Sequence, residues 1–231
     1  MVIIYVMTNM RLSPTQQQMT AVYPHSQGGF MIIDFHTHTF PDELADRAVG
    51  TLAHSGGIHN YLDGRVHSLT DSMKKAGIDY SVLLPVATKP NQCDTINTLA
   101  LKTNETSKTT GLISFGAIHP GCDESSVDRL TTMIQDVKPE KLVLAHMGGW
   151  GQWNDVSSIL EEDYMKNVYL DTSSCIKKLN HNASLPIEKF KKMVNIHGAD
   201  HILFGSDSPW DDQKDAVDLI KECGFSEKDT G

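Results

Sequence analysis

The stretch "MIIDFHTHTF", Met31 to Phe40, decides how this chain is read. A short apolar run enters His36-Thr37-His38 through Asp34 and Phe35, and Pro41 and a helix follow. Such a run makes a β-strand. A strand sets residues i and i+2 on one face, so His36 and His38 point the same way, as two ligands of one ion must. Imidazole suits zinc and other transition metals. The spacing alone does not decide the matter: with 11 His among 231 residues, chance supplies roughly half an HxH pair. Two readings stand at this point: a metal claw at a strand end, or two ordinary histidines in a His-rich chain.

Downstream of Met31, short apolar runs alternate with amphipathic stretches. Strands are predicted over 31–38, 80–88, 111–120, 141–149, 167–174 and 201–207. Helices are predicted over 69–79, 93–107, 125–137, 154–163, 186–198 and 212–224, with Pro186 near one start and Gly77, Gly198 and Gly224 as stop signals. The strands are apolar throughout rather than alternating, the pattern of strands buried on both faces. Regular strand–helix alternation then makes a parallel α/β sheet. A doubly wound sheet and a (β/α) barrel both fit. In either, His36, His38, His119, His146, Asp171 and Asp207 fall at C-terminal strand ends, the edge where parallel α/β proteins build active sites. That co-location says more than any single motif.

Each residue also has a plainer reading. His146 in "LAHMGGW" precedes Gly148-Gly149, a pair that permits a tight turn and close approach of a ligand, but a strand-end histidine before an ordinary loop fits equally. Asp207 in "ILFGSDSPW" can bind metal, accept a proton, or simply neighbour a helix cap formed by Ser206 or Ser208 ahead of Pro209. Asp171 in "YLDTSS" reads as a residue supporting the site or capping a turn, and His119 as a pocket wall. His54, His59, His67 and His181 read as surface. Phe40, Trp150, Trp153 and Trp210 either line a pocket or pack over its mouth.

The remaining composition narrows the class. A chain of 231 residues builds one sizeable core. Residues 1–30 read as a loosely ordered leader, with Met31 as the natural start, and residues 31–231 as one domain. A formal net charge of −9 and no long basic run argue against nucleic acid or an anionic membrane as partner. Four widely spaced cysteines read as free thiols in a reducing, cytoplasmic setting. No apolar run spans a membrane, and "MVIIYVM" lacks the basic start of a signal peptide. There is no GxGxxG, GxxxxGK[ST] or GxSxG, which disfavours cofactor-driven redox, P-loop chemistry and a nucleophile elbow.

Five blocks in order, "IIDFHTHTFPDELADRAV", "FGAIHP", "KLVLAHMGGW", "NVYLDTSS" and "HILFGSDSPW", resemble the amidohydrolase-related family of metal-dependent hydrolases. The branch is that of aminocarboxymuconate-semialdehyde decarboxylase and related decarboxylases, and the likeness runs from Met31 to Trp210. It implies a distorted TIM barrel with a divalent metal, usually zinc, at the C-terminal rim. It implies His36, His38 and Asp207 as metal ligands, and His146 and Asp207 as catalytic residues that activate water or handle a proton. The implied substrate is a small molecule, hydrolysed or decarboxylated.

The chain departs from that family in length. It offers six strand–helix units where a TIM barrel has eight. Two units that the family carries before the "AHMGG" strand, one with a further metal-binding histidine, have no counterpart in "TTMIQDVKPEKLVLAH". The expected fold is therefore an incomplete TIM-barrel-like α/β domain with unpaired strand edges. An opened sheet, a homodimer across the gap, or poor folding would each follow. A metal-dependent hydrolase is the leading reading, a decarboxylase or an inactive remnant the alternatives. A metal-dependent nuclease is disfavoured by the acidic charge.

Overall fold

The computed structural model describes residues 4–7, 31–117, 141–149, 153–176 and 184–225. Among the described residues seven strands carry the fold: β1 (Ile4–Met7), β2 (Ile33–Thr37), β3 (Tyr80–Leu83), β4 (Leu112–Ser114), β5 (Lys141–Leu144), β6 (Val168–Asp171) and β7 (Ile202–Leu203). The helices are α1 (Asp42–Gly56), α2 (Val66–Ala76), α3 (Cys93–Glu105), α4 (Ser107–Thr110), α5 (Trp153–Ile159), α6 (Ile187–His197) and α7 (Gln213–Glu222). Strands β2, β3 and β4 pair in parallel, as do β5, β6 and β7.

The two sheets meet where the chain leaves β7. The Phe35 N–H donates to the Phe204 carbonyl at 2.8 Å, the Asp207 N–H to the His36 carbonyl at 2.8 Å, and the His38 N–H to the Ser208 carbonyl at 2.7 Å. Six parallel strands therefore run in the order β4-β3-β2-β7-β6-β5, with β2 and β7, the first and last of these six in the chain, adjacent as in a closing barrel. This is the incomplete TIM-barrel-like α/β fold that the alternation and the count of six units imply.

Both ends of this arc are covered in ways the sequence pattern does not show. At one end β1 pairs antiparallel with β5, Ile4 opposite Leu144 and Met7 opposite Lys141. At the other, α3 supplies side chains in place of a strand. The Asn104 amide accepts from the Ser114 N–H at 2.7 Å and donates to the Ser114 carbonyl at 2.8 Å. The Asn97 amide does the same for Ala117, at 2.7 and 3.1 Å. The Phe115 N–H points the other way, to Leu83 of β3. Backbone groups of a strand alternate sides, so Ser114 faces outward, and Asn104 satisfies the pair that a neighbouring strand would take.

The helices start and stop where local chemistry dictates. Glycines follow α1 and α2 in the left-handed region, Gly57 at φ 62° and Gly77 at φ 72°. The Asp212 side chain caps α7 by accepting from the Lys214 and Asp215 N–H groups at 2.8 and 3.0 Å. Helix α2 begins at Val66, ahead of the expected 69, and the strands are shorter than their apolar runs. Beyond Leu83 and Leu203 the regular ladder gives way to single backbone contacts with β2, Leu84 N–H to the Thr37 carbonyl and Phe35 N–H to the Phe204 carbonyl, as the chain turns at the rim. The predicted helix over 125–137, together with His119, His181, Cys122 and Trp150, lies outside the described residues.

Two apolar clusters fill the interior. One lies under β5 and β6 and includes Met147, Leu170, Leu185, Phe190 and Met193. The other lies under β2 to β4 and includes Leu69, Met73, Leu83 and Leu112. Helix α7 ties them together, giving Leu219 to the first and Val217 to the second. Cys93, Cys175 and Cys223 are buried. Among the described residues, no helix is long and apolar enough to cross a membrane.

Candidate metal centre

Strand β2 and the turn after β7 bring three potential ligands together. His36 Nε2 lies 3.1 Å from His38 Nε2. Asp207 Oδ1 lies 3.3 Å from His36 Nε2 and 3.1 Å from His38 Nε2. All three side chains are buried, and they form the one His/Cys/Asp/Glu group among the described residues with metal-ligand spacing. The pairing register of β2 with β3 shifts between Asp34 and Thr37, a bulge-like irregularity of the kind that re-aims side chains beside active sites.

The outer nitrogens show what the inner ones must be. His36 Nδ1 sits 2.9 Å from Asp171 Oδ2, and a carboxylate only accepts, so this nitrogen carries a proton. His38 Nδ1 sits 2.6 Å from the Leu84 carbonyl, which fixes its proton in the same way. In the neutral rings both Nε2 atoms are then bare lone pairs, facing each other and an anionic oxygen at 3.1–3.3 Å. Three acceptors converging on a buried point need a cation between them, a proton or a metal ion. The electrostatics agree. Burial disfavours the charged His36 ring, but the carboxylates of Asp171 and Asp207 outweigh it and lift the imidazole to about 10. Burial likewise works against ionised Asp207, yet His36 and His38 hold it well below the usual carboxylate range. Asp171 is pulled down against its burial by His36, with His146 and Ser173 assisting.

Asp171, at the end of β6, links this cluster to His146. Its Oδ1 accepts the His146 backbone N–H at 2.9 Å, the Ser173 N–H at 3.1 Å and the Ser173 hydroxyl in a short bond. The His146 ring lies 5.1 Å from the His36 ring, centroid to centroid. Trp153 holds the turn from outside: its indole N–H donates to the His146 carbonyl at 3.0 Å, and the ring packs in the core rather than lining a pocket.

Backbone strain concentrates at this rim. Among the described residues four non-glycine positions have left-handed φ: His146 at 55°, Met147 at 53°, Ser174 at 44° and Asp207 at 66°. All sit in the turns after β5, β6 and β7. Such conformations cost roughly 1–3 kcal/mol each and persist where surrounding structure imposes them, commonly at functional sites. Gly148, at φ 85°, allows the His146 turn. Gly205 is required for another reason: a Cβ there would lie 2.8 Å from His36 Cβ.

A buried polar cluster anchors the seam below. Asp34 accepts from the Ser206 N–H at 2.9 Å, the Ser206 hydroxyl at 2.6 Å, the Gln213 amide at 2.7 Å and the His36 N–H at 3.2 Å. Burial pushes its carboxyl up despite these bonds. It joins β2, the turn after β7 and α7 directly beneath the histidines.

Of the residues singled out in the sequence, the structure places His36, His38, His146, Asp171 and Asp207 at one rim. His54, His59 and His67 are exposed. Sequence reasoning did not find Asp34, Ser173 or Gln213, and it read Ser206 as a helix cap where the structure has it bonded to Asp34. Asp34, Ser173 and Ser206 lie within two residues of a ligand-type side chain on the same strand or turn, a proximity that was available as a signal.

Among curated proteins no sequence matches this chain. Solved structures of similar fold include an amidohydrolase from Burkholderia multivorans with bound zinc, at 11% identity over 87% of this chain and 94% of that one, with a TM-score of 0.52. They include a dihydroxybenzoic acid decarboxylase from Polaromonas sp. JS666 with bound manganese and the inhibitor 2-nitroresorcinol, at 14% identity over 86% and 92%, TM-score 0.54. They also include a probable 2-pyrone-4,6-dicarboxylic acid hydrolase from Acinetobacter baumannii with citric acid bound, at 13% identity over 86% and 94%, TM-score 0.55. At such identities the likeness speaks for the fold. In sequence, the amidohydrolase family model matches residues 40–225, beginning just after the HxH pair and taking in His146, Asp171 and Asp207. With most of its length matched in this way, the chain belongs to the amidohydrolase family.

Proposed function

We propose that this protein is a metal-dependent hydrolase of small organic molecules, with His36, His38 and Asp207 holding one divalent ion and His146 serving as the proton-handling residue. The supporting observation is the convergence of two imidazole Nε2 atoms and one carboxylate oxygen on a single buried point. That donor set fits a transition metal, and two imidazoles with one carboxylate favour zinc over the hard-cation alternatives. A divalent ion held there would supply Lewis-acid activation of water and of a substrate oxygen.

The chain's own residues do the rest. Asp171 and the Leu84 carbonyl fix both ligand histidines with Nε2 inward. Asp207 adds the negative charge and, at the rim, an acceptor for a proton released from attacking water. His146, one ring away from His36, can take that proton or deliver one to the leaving group.

Decarboxylation is the second reading, favoured by the dihydroxybenzoic acid decarboxylase among the similar folds. It uses the same ligands, with His146 delivering a proton to the carbon that loses CO₂. Purified protein loaded with zinc or manganese would be assayed with 4-nitrophenyl acetate, with 2-pyrone-4,6-dicarboxylate and, for CO₂ release, with dihydroxybenzoates. Turnover that falls by roughly 10²–10⁴ in His146→Ala supports the proposal. Absence of turnover in a metal-loaded, folded protein on both substrate classes would favour the inactive remnant instead.

A further inference from the structure

We propose that Ser173 is a positioning residue that fixes the proton of His146 on Nδ1, so that Nε2 is the ring's acceptor. The inference rests on the proposed role of His146 and adds how that role is prepared before substrate arrives.

Ser173 is wholly buried in the turn after β6, two residues past Asp171. Its hydroxyl has one proton and several neighbours. The closest is Asp171 Oδ1, which already accepts the His146 and Ser173 backbone N–H groups and so faces the hydroxyl as an acceptor. The hydroxyl proton is therefore committed there, and the Ser173 N–H, 3.1 Å from the same oxygen, reinforces the geometry. What remains on Oγ are lone pairs. One of them faces His146 Nδ1 at 2.9 Å. The Ser173 carbonyl also faces His146 Nδ1 at 2.9 Å. Both atoms act as acceptors, so a bare Nδ1 would set its lone pair against theirs. A proton on Nδ1 turns both contacts into hydrogen bonds, and the tautomer follows.

The opposite arrangement fails on the same distances. For Ser173 to donate to His146 Nδ1, Asp171 Oδ1 would lose its shortest donor while buried, and the Ser173 carbonyl would face a lone pair at 2.9 Å. Asp171 thus sets proton placement on two histidines at once: directly on His36 through Oδ2, and on His146 by orienting the Ser173 hydroxyl through Oδ1. One carboxylate prepares a ligand with Nε2 inward and a proton acceptor with Nε2 outward from its own anchor.

The test is the ¹⁵N chemical shift of the imidazole nitrogens in uniformly labelled protein, with and without added zinc, in wild type and in Ser173→Ala. The expected wild-type result is a protonated Nδ1 and a bare Nε2 for His146, assigned by its loss in His146→Ala. In Ser173→Ala the residue-173 carbonyl still faces Nδ1, so the Nδ1–H form is expected to stay the major one with a measurable Nε2–H share beside it, with one zinc still bound and kcat on 4-nitrophenyl acetate lowered severalfold at unchanged KM. A wild-type His146 protonated on Nε2 would overturn the proposal. So would a Ser173→Ala protein that keeps the Nδ1 tautomer in full and loses no rate. Because the tautomer is read without turnover, the expected spectrum in a protein whose rate ignores His146→Ala would instead sink the proposed function and leave this inference standing.

Discussion

His36 and Asp171 meet at 2.9 Å, Nδ1 to Oδ2, with both side chains sealed from solvent. The contact joins the first strand of the domain to β6 across the floor of the rim. It also fixes the ring orientation that turns His36 Nε2 toward His38 and Asp207. A metal-binding histidine whose second nitrogen is left to chance is a poor ligand, and outer partners of this kind typically govern affinity by about 10–100-fold.

Asp171→Asn should therefore keep the fold and weaken metal binding by about 10–100-fold. The amide matches the carboxylate in shape but lacks its charge, and can present an N–H to the His36 proton. Competition with a chromophoric chelator measures this directly. Unchanged affinity would show that His36 is oriented by other means.

The metal-free protein should lose stability as pH rises. His36 has a folded-state pKa of about 10 against an ordinary 6.5. A raised pKa contributes stability that is complete below about 6.5 and lost as pH climbs through about 10. Asp207 and Asp171 are depressed, so their contributions are present above 3.8 and fade as pH falls through their lowered values. Urea unfolding of chelator-treated protein should give a lower midpoint at pH 10 than at pH 6, with the difference reduced in His36→Gln. Metal uptake at pH 8 should release about one proton per ion, because His36 must give up its charge to bind. A flat profile and no proton release would contradict the electrostatic account.

Gly205→Ala should damage the centre from below. The new Cβ would meet His36 Cβ at 2.8 Å and Ser173 Cβ at 3.4 Å, on a backbone that hydrogen-bonds Thr172. Overpacking of this kind costs about 1–3 kcal/mol. Thermal unfolding should show that loss, and metal content should fall with it. A variant as stable as the parent with full metal content would mean the seam yields easily.

Asn104→Ala should uncover the β4 edge. It leaves the Ser114 N–H and carbonyl without their described partners, at about 1–3 kcal/mol for each group that stays unsatisfied. Bare strand edges recruit other chains. Light scattering should show association that grows with concentration in the variant and not in the parent. Equal behaviour would assign the edge to another cover.

Much of this architecture was legible because it rests on period and placement. Short apolar runs between helices gave the parallel strands, and His36, His38, His146 and Asp207 stood at strand ends, so the pattern alone gathered them at one rim. What holds them there was not legible. Asp34 binds Ser206 and Gln213 from the far end of the chain, and only folding brings those residues together. Ser173 looks like any serine after a strand. Asn97 and Asn104 look like polar positions on a helix, and nothing in a helical period says that they serve as a strand's partner. Strand lengths were overestimated because an apolar run does not record where the ladder ends and the turn over the rim begins.

Metal content per chain tests the central claim most directly. The measurement is plasma mass spectrometry of untagged protein, beside a His36→Ala/His38→Ala control whose fold is checked by circular dichroism. The account predicts about one divalent ion per chain, lost in the control. A folded parent protein that carries no metal, and takes up none when zinc or manganese is supplied, would contradict it.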